Sequence, residues 1–401
     1  MLDFSKVINR RGTDCEKWDY ADNEVGVPDL IQLGCADMDF QAPPEIIASL
    51  QQVLNHGVFG YTYLNDAFVE GIVSWYKNRH QVELDPESVI FAPRIVVSSS
   101  MFIELVSRPS EKVILNAPYY PPLNNATERN GRVVIDLPLS EKEGRYVIDF
   151  AKLESQVDDK TRMMILVSPH NPTTRVWTKE ELQEVAYFCE RHHLYLYVDE
   201  IHCDFIRQGH KFVSFASIDS PVRERLVIAN SAAKSFNIMG CNASYCIVPN
   251  KVLRNRLIAE FNRIGAYEPN IFGNAVMKAA YQKCAYYVDA VNPYIDGNED
   301  YLRTELPKIF PEVVVKPREG SYLLWVDFTK VFPNEAVTER FCHEMAKINP
   351  FFGLHFGRHF ENFMRINLGC PRATLEEVIK RLDKAYATYK AEGLPPAPAA
   401  K

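Results

Sequence analysis

The sequence lacks long hydrophobic runs. None of its apolar stretches approaches the roughly 18–20 uninterrupted residues that a membrane-spanning helix needs. The first residues, MLDFSKVINRR, lack the apolar segment of a secretory signal. We therefore expect neither membrane insertion nor export, and we predict a cytoplasmic protein.

The sequence also lacks an excess of positive charge. Asp and Glu outnumber Lys and Arg by 52 to 45, which leaves a formal net charge of −7. A nucleic-acid-binding domain normally presents a basic face. We therefore expect no nucleic-acid partner.

Cysteine and histidine patterns of structural or metal sites are missing as well. Nine cysteines are scattered without the spacing of a disulfide framework, which favours reduced and largely buried thiols. His202, Cys203 and Asp204 are consecutive, so their side chains diverge. His355 and His359 have no third ligand at a recognisable spacing. We predict no metal site.

Between about residues 50 and 290, short apolar runs alternate with amphipathic stretches. The apolar runs are Val89–Phe91, Lys112–Asn116, Arg132–Leu137, Met163–Ser168, Leu194–Val198, Leu226–Ala229 and Ser244–Val248. The amphipathic stretch Lys179–His192 follows Thr178 and has Glu181 in its first turn, which is the pattern of a capping box. This alternation predicts an α/β domain with a mainly parallel sheet covered by helices.

From about Tyr286 the pattern changes to that of a smaller α+β domain. Predicted elements are a long helix Tyr286–Ile309, strands Glu312–Lys316 and Ser321–Asp327, a helix near Glu335–Lys347, the segment Phe363–Leu368 and a last helix from about Thr374 to Lys390. We divide the chain into an N-terminal arm that belongs partly to the small domain (1–48), a large domain (49–288), a C-terminal small domain (289–392) and a flexible Pro/Ala-rich tail (393–401).

Chemically useful residues follow three of the predicted strands, where ligands bind in open α/β sheets. Met163–Ser168 is followed by Pro169-His170-Asn171-Pro172, Leu194–Val198 by Asp199-Glu200-Ile201-His202, and Leu226–Ala229 by Asn230-Ser231-Ala232-Ala233-Lys234. Each segment is ordinary by itself, because Asn-Pro marks a turn, Asp-Glu can cap a helix and Ser-x-x-Lys occurs often by chance.

An amide, an acid and a lysine at neighbouring strand ends together suit pyridoxal 5′-phosphate (PLP). This cofactor needs a desolvated lysine amine for its Schiff base. It also needs a carboxylate beside its pyridine nitrogen, a donor for its phenolate oxygen and N–H groups for its phosphate. Asn171, Asp199 and Lys234 occur in this order, 28 and 35 residues apart. We therefore predict a PLP site.

Nine segments over nearly the whole chain carry a resemblance to a known family. They are Lys17-Trp18-Asp19, Ala36-Asp37-Met38-Asp39-Phe40, Phe59-Gly60-Tyr61-Thr62, Tyr119-Tyr120-Pro121, Ser168-Pro169-His170-Asn171-Pro172, Asp199-Glu200-Ile201-His202-x-Asp204, Lys234-Ser235-Phe236-Asn237, Ser321-Tyr322-Leu323-Leu324-Trp325 and Phe363-Met364-Arg365-Ile366-Asn367. In them the chain resembles the fold-type-I PLP enzymes of the class I/II aminotransferase superfamily, and most closely the MalY/PatB group of cystathionine β-lyases. The resemblance implies a PLP-dependent transferase fold with a mainly parallel seven-stranded sheet and a smaller α+β domain.

The resemblance implies roles at the cofactor ring. Lys234 would form the Schiff base and later move protons, and Asp199 would pair with the pyridine nitrogen. Asn171 would donate to the phenolate oxygen, and Tyr119 would stack on the ring. His202 would lie near the ring, with a hydrogen-bonded structural histidine as the alternative. On this pattern the catalytic residues are Lys234, Asp199 and Tyr119.

The resemblance also implies contacts to the phosphate and the substrate. Ser231 and the turn that contains Ile95 and Val96 would bind the phosphate. Tyr61 would reach it from the other subunit of a homodimer. Arg365 would bind the α-carboxylate of an amino-acid substrate with its two-pronged guanidinium.

The chain departs from the family pattern in four places. Arg94 stands where relatives have a glycine in the phosphate turn, so that we expect a clash, a changed turn or an added cation. Ala233 replaces a hydroxyl residue before the lysine. Gly34-Cys35 replaces Trp-Val, and Thr174 occupies the position of a glycine. These changes lie at the phosphate and the pocket mouth, which indicates retained PLP chemistry with altered cofactor affinity or substrate choice.

The expected reaction is a β-elimination on cystathionine, cysteine or an S-substituted cysteine, which yields pyruvate, ammonia and a thiol. Transamination is the main alternative, because it uses the same residues. A second alternative follows from relatives that bind a transcription regulator, and a third is a catalytically inactive paralogue.

Overall fold

A computed structural model describes residues 2–396, which form fifteen strands and thirteen α-helices. The strands are β1 (Ile31–Gln32), β2 (Val89–Ala92), β3 (Lys112–Ala117), β4 (Val133–Pro138), β5 (Ser140–Lys142), β6 (Arg145–Val147), β7 (Thr161–Val167), β8 (Tyr195–Asp199), β9 (Leu226–Asn230), β10 (Ser244–Ile247), β11 (Val314–Val315), β12 (Leu323–Asp327), β13 (Ile348–Asn349), β14 (Phe351–Phe352) and β15 (Phe363–Asn367).

The helices are α1 (Ala21–Val25), α2 (Pro44–His56), α3 (Asp66–Trp75), α4 (Ile95–Val106), α5 (Pro121–Arg129), α6 (Phe150–Glu154), α7 (Lys179–Arg191), α8 (Ala232–Phe236), α9 (Lys251–Arg263), α10 (Ile271–Lys283), α11 (Ala285–Ile309), α12 (Glu335–Arg340) and α13 (Arg372–Glu392). None of the helices described in residues 2–396 has both the length and the apolar character needed to cross a bilayer.

The chain divides into two compact units. One comprises Gln41–Asn292 with Glu319–Ser321, and we call it the large unit. The other, the small unit, comprises the chain up to Phe40, Pro293–Arg318 and the chain from Tyr322 onward. Of the tail predicted at 393–401, residues 397–401 lie outside the described residues.

The large unit contains a seven-stranded sheet in the order β2-β10-β9-β8-β7-β3-β4. Strand β10 is antiparallel to both of its neighbours, and the other adjacent pairs are parallel. All seven predicted apolar runs are strands of this one sheet, so the prediction of a mainly parallel seven-stranded sheet is confirmed. Strands β2, β9 and β10 are buried along their whole length, as expected of strands covered on both faces.

The register brings several strand ends to one edge of this sheet. Val167 pairs with Asp199, and Asp199 pairs with Ala229, so β7, β8 and β9 end level with one another. Strand β2 runs in the same direction as β9, because both are antiparallel to β10. The segments that follow these four strands therefore emerge at the same edge, which we call the carboxyl edge.

Helix packing fixes this edge. Helix α4 packs on the core of the sheet through Ile95, Phe102 and Ile103. Tyr197 of β8 donates its hydroxyl to the Ile95 carbonyl at 2.9 Å, which ties the first turn of α4 to the sheet.

Helix α7 begins with the predicted capping box between Thr178 and Glu181. Such a cap stabilises a helix by about 1 kcal/mol.

The small unit contains a four-stranded antiparallel sheet in the order β11-β12-β15-β14 and a parallel pair, β1 with β13. Its α+β character was predicted and is confirmed. The family segments of its N-terminal part form a buried ionic cluster, in which Lys17 Nζ lies 2.7 Å from Asp39 Oδ2 and Arg10 contacts Asp37 and Asp39 at 2.6 and 2.8 Å. Trp18 Nε1 also donates to Asp39. These segments are therefore structural within the small unit.

All nine cysteines carry free thiols, and six of them are buried. The burial of these six agrees with the prediction that many of the thiols are buried.

Candidate active site

Three of the predicted site residues follow adjacent strands at the carboxyl edge of the large unit. Asn171 lies four residues after β7, Asp199 ends β8 and Lys234 lies in α8, which directly follows Ser231 after β9. Asn171 and Asp199 are each 3% exposed, and Lys234 is half-buried. The structure thus brings together the amide, the acid and the lysine that the sequence pattern indicated.

Asp199 is a buried carboxylate within electrostatic reach of Lys234. Burial raises its pKa to about 6, while the Ile201 N–H and the charge of Lys234 act in the opposite direction. The Ile201 N–H donates to Asp199 Oδ1 at 3.0 Å. A carboxylate in this setting is stabilised by an additional cationic partner, because the cost of desolvation is then offset.

Ser231 begins the short helix that carries Lys234. Its hydroxyl accepts from the Ala233 N–H at 2.9 Å and donates to the Ala243 carbonyl at 2.6 Å. Ser231 is therefore the N-cap of α8 and is held against the segment that precedes β10. A phosphate contact through this hydroxyl would compete with the bond to Ala243, so the predicted phosphate role of Ser231 stays a prediction.

The N-terminus of α4 supplies a second set of N–H groups at the same edge. Ile95 and Val96 are its first two residues, so their N–H groups lack carbonyl partners within the helix. Arg94 precedes them with φ of −154°, an extended backbone that any residue adopts. Its Nε donates to Asn242 Oδ1 at 2.7 Å, just before β10. Of the expected consequences of Arg94, the added cation is the one that this conformation favours.

The loop after β7 differs from the family pattern at one strained position. Thr174 has φ of +66°, the left-handed region that favours glycine, which is the residue that the family pattern leads one to expect at this position. The Thr174 N–H donates to the His170 carbonyl at 2.7 Å. His170 Nδ1 lies 2.7 Å from Thr173 Oγ1, and burial lowers the pKa of His170 to about 3. His170 is therefore neutral beside Asn171.

Tyr119 and His202 also lie in the large unit. Tyr119 is half-buried and packs against the hydrophobic core that includes Leu123. His202 is 2% exposed, with Nδ1 3.1 Å from Ser321 Oγ. The structure thus gives His202 the hydrogen bond of the structural alternative, and its place near a ring stays a prediction.

Tyr61 is 99% exposed in the single chain. Neighbouring residues of the same segment, Val58, Phe59 and Tyr63, are exposed as well. A tyrosine with this exposure contributes little to the stability of its own chain, so a function in contact with another molecule accounts for it better.

Arg365 is described within the small unit. It is 1% exposed and contacts two neighbouring aromatic rings, with its guanidinium carbon 4.9 Å from the ring centres of both Phe351 and Phe356. Its Nη2 donates to the Gly34 carbonyl at 2.8 Å. A Cβ at position 34 would meet the Phe351 ring at 2.8 Å, so Gly34 is what admits this ring. The departure at position 34 is therefore coupled to the packing around Arg365.

Glu200, Asp204 and His80 form a buried polar cluster near α8. The sequence pattern had indicated no functional role for these three residues. The donor atoms of His80, Cys203 and Asp204 lie within 4.8 Å of one another, a grouping that could hold a metal ion. Asp204, however, is contacted by Arg79 at 3.4 Å as well as by His80 at 3.3 Å. The prediction of no metal site stays a prediction. The acidic residues within positions 199–204 are the feature of the sequence that could have indicated this cluster.

The chain is similar to known proteins over nearly its whole length. The family of class I and II aminotransferases matches residues 28–382. Cystathionine beta-lyase PatB of Bacillus subtilis (strain 168) is 36% identical over 391 residues, which cover 96% of this chain and 100% of the relative. Protein MalY of Escherichia coli (strain K12) is 32% identical over 393 residues, which cover 97% of this chain and 100% of the relative.

A solved structure gives the same result. Cystalysin from Treponema denticola, which contains a pyridoxal 5′-phosphate cofactor, has a TM-score of 0.93 at 31% identity. The match covers 96% of this chain and 99% of cystalysin. The resemblance seen in the sequence motifs is thus confirmed, and this chain belongs to the class I and II aminotransferase family.

Proposed function

We propose that this chain is a PLP-dependent carbon–sulfur β-lyase that converts cystathionine, cysteine or S-substituted cysteines to pyruvate, ammonia and a thiol. The observation that carries the proposal is the juxtaposition of Lys234 with the buried carboxylate of Asp199 at the carboxyl edge. The name cystathionine beta-lyase belongs to a relative that is matched over its full length, which supports the lyase assignment.

The residues at the carboxyl edge fit PLP. A protonated pyridine nitrogen beside Asp199 would supply the cationic partner that this buried carboxylate favours. The first-turn N–H groups of Ile95 and Val96, together with the positive charge of Arg94, suit a phosphate. When bound, PLP supplies an electron sink that stabilises negative charge at the substrate Cα.

The protein residues would then bind, orient and move protons. We propose that Lys234 holds the cofactor through Nζ and accepts the Cα proton once the substrate amine has replaced it. Asp199 would keep the ring nitrogen of the bound cofactor protonated, Asn171 would donate to its phenolate oxygen and Tyr119 would cover its ring. Arg365 binds the α-carboxylate, a task for which its planar guanidinium is suited.

The proposed reaction balances with one water molecule. The bond between Cβ and sulfur breaks, and the sulfur leaves as a thiolate that takes up a proton. The Cα proton passes to Lys234 Nζ, and Lys234 later releases one proton, which offsets the one that the thiolate takes up. Hydrolysis of the remaining three-carbon enamine gives pyruvate and ammonium.

We also propose a homodimer in which Tyr61 reaches the phosphate site of the partner subunit. Val58, Phe59, Tyr61 and Tyr63 are 63%, 57%, 99% and 73% exposed, and Phe59 packs on Phe272. A contiguous exposed aromatic and apolar segment is typical of a protein–protein contact. Sedimentation of the purified protein at twice the monomer mass is expected, and a monomer with full PLP affinity would contradict this arrangement.

The decisive experiment for the lyase is incubation with L-cystathionine in the absence of any keto acid. We expect pyruvate and free homocysteine thiol in equal amounts, with Lys234→Ala as the inactive control. Transamination is the competing function, because it needs the same lysine and carboxylate. Strict dependence of turnover on 2-oxoglutarate, without release of thiol, would replace the lyase assignment by an aminotransferase.

A further inference from the structure

The turn at residues 199–204 contains three buried carboxylates. Asp199, Glu200 and Asp204 are 3%, 0% and 4% exposed. Burying an acid is unfavourable unless its oxygens gain partners. The proposed function uses only Asp199, so Glu200 and Asp204 need a separate explanation.

Glu200 is held by three donors. Its carboxylate accepts from Ser214 Oγ at 2.8 Å, from the Phe215 N–H at 2.6 Å and from the Tyr76 hydroxyl at 3.2 Å. Two of these donors come from the loop after β8, and Tyr76 comes from the helical turn after α3. Glu200 therefore fixes the position of the buried Tyr76 hydroxyl.

The Tyr76 hydroxyl connects Glu200 to the start of α8. Asn230 Nδ2 donates to this hydroxyl at 2.9 Å, and the Ser231 N–H donates to Asn230 Oδ1 at 2.7 Å. Ser231 is the N-cap of α8. A continuous chain of hydrogen bonds thus runs from Glu200 to the first residue of the helix that carries Lys234.

Asp204 holds the other end of the same helix. Its Oδ2 accepts from Ser235 Oγ at 2.5 Å, and Ser235 directly follows Lys234. Its Oδ1 accepts from Trp75 Nε1 at 3.1 Å and lies 3.3 Å from His80 Nε2. Because Trp75 and His80 belong to buried parts of the large unit, Asp204 joins Ser235 to a rigid framework.

We propose that Glu200 and Asp204 are positioning residues, which hold the two ends of α8 and thereby fix the Lys234 amine relative to Asp199. The inference rests on the proposed function, in which Lys234 is the PLP lysine. Helix α8 has only five residues, too few for its own hydrogen bonds to make it rigid. One turn of the chain thus supplies the acid for the cofactor ring and the two supports for the lysine.

Accurate placement matters because a proton-transfer group must lie within a few tenths of an ångström of its productive position. Loss of either support should therefore reduce turnover more than substrate binding. We expect a change at Ser235 or Tyr76 to leave Arg365, to which the proposed function assigns the substrate carboxylate, unaffected. A split between kcat and KM is the expected signature.

The experiment compares Ser235→Ala, Ser235→Thr and Tyr76→Phe in the PLP-loaded enzyme. Ser140→Ala is the matched control, because the Ser140 hydroxyl also lies near a carboxylate, Asp149 at 3.2 Å, but in β5. We measure kcat and KM for L-cystathionine, the pH dependence of the visible absorbance and the thermal midpoint. For Ser235→Ala and Tyr76→Phe we expect kcat to fall by about 10- to 100-fold, with KM within about threefold of the wild type.

Two further results are expected. The pH midpoint of the visible absorbance should shift in both variants, because the environment of the Lys234 nitrogen changes. Ser235→Thr keeps the hydroxyl and should restore both kcat and the midpoint. Ser140→Ala should match the wild type in every measurement.

The inference is overturned if Ser235→Ala and Tyr76→Phe keep wild-type kcat and absorbance titration, even when their thermal midpoints fall, because the contacts are then only structural. It is also overturned if Ser235→Thr behaves like Ser235→Ala. Failure of the proposed function looks different: the wild type would then stay colourless with PLP, or borohydride would label a lysine other than Lys234.

Discussion

Replacing the buried acid of the site by its amide, Asp199→Asn, should stabilise the protein without cofactor while impairing the enzyme. Burial raises the pKa of Asp199 to about 6 from the 3.8 of an exposed aspartate. The folded chain therefore binds a proton at this position more tightly than the unfolded chain does. Above pH 6 the group is ionised in both states, and its desolvation then opposes folding.

The magnitude follows from the difference between the two pKa values. A rise of the pKa from 3.8 to about 6 corresponds to about 3 kcal/mol, as an upper limit. A raised carboxyl pKa means that this penalty is absent below about pH 4, grows as the pH rises from about 4 to about 6, and is constant above that. Asparagine carries no charge and therefore avoids this penalty. Its Oδ1 can still accept from the Ile201 N–H, so the substitution keeps this hydrogen bond.

The assay is urea unfolding of cofactor-free wild type and Asp199→Asn at pH 4.5, 6 and 8. The variant should be more stable by up to about 3 kcal/mol at pH 8, and the difference should shrink toward zero near pH 4. Asp159→Asn, at an exposed position, is the control and should change little. In the PLP-loaded enzyme the same substitution should be harmful, because the amide cannot hold the ring nitrogen protonated. The kcat of Asp199→Asn should therefore fall on the order of 100-fold. A variant no more stable than the wild type at pH 8 would refute the reasoning.

Four other substitutions test separate parts of the structure. Arg365→Lys should raise KM for cystathionine by about 10- to 100-fold with a smaller change in kcat, because lysine can neither form a two-pronged contact nor replace the planar contact of the guanidinium with two aromatic rings. A KM within about twofold of wild type in steady-state kinetics would contradict this. Lys17→Met removes one partner of a buried ion pair and should lower the free energy of unfolding by about 3 kcal/mol, measured by urea unfolding. Tyr61→Phe should weaken PLP binding by about 10-fold, measured by fluorescence titration, without changing the thermal midpoint of the apoprotein. Arg94→Gly should raise the PLP dissociation constant by about fivefold, and an unchanged constant would show that Arg94 is only a surface residue.

Hydrophobic patterning was sufficient to predict the large sheet. All seven of its strands are short and flanked by turns or amphipathic helices, so that local pattern and tertiary structure agree. The small unit was harder to predict in detail. The predicted strand Glu312–Lys316 is only the two-residue β11, and β1 with β13 is a two-residue pair formed by segments more than 300 residues apart. Pairs of this kind carry no periodic signal in either segment.

The residues of the proposed site could be selected from the sequence because they follow strands that end level with one another. The rule that ligands bind at the carboxyl edge was enough to select Asn171, Asp199 and Lys234 as candidates. The residues that we propose to hold the ends of α8 could not be predicted from the sequence, because hydrogen bonds such as that between Asn230 and Tyr76 join positions 154 residues apart. Tyrosine, serine and asparagine at those positions have no pattern that separates them from ordinary surface residues.

Three of the four departures from the family pattern have local explanations in the structure. Arg94 adopts an extended backbone and donates to Asn242, so the missing glycine causes no strain there. Thr174 does take up the left-handed conformation of the replaced glycine, at a cost of about 1–2 kcal/mol. Gly34 makes room for the ring of Phe351 against Arg365. The three changes therefore act differently: the first adds a cation, the second stores strain beside Asn171, and the third reshapes the surroundings of Arg365, the proposed substrate-binding arginine, where we expect any change in substrate choice to originate.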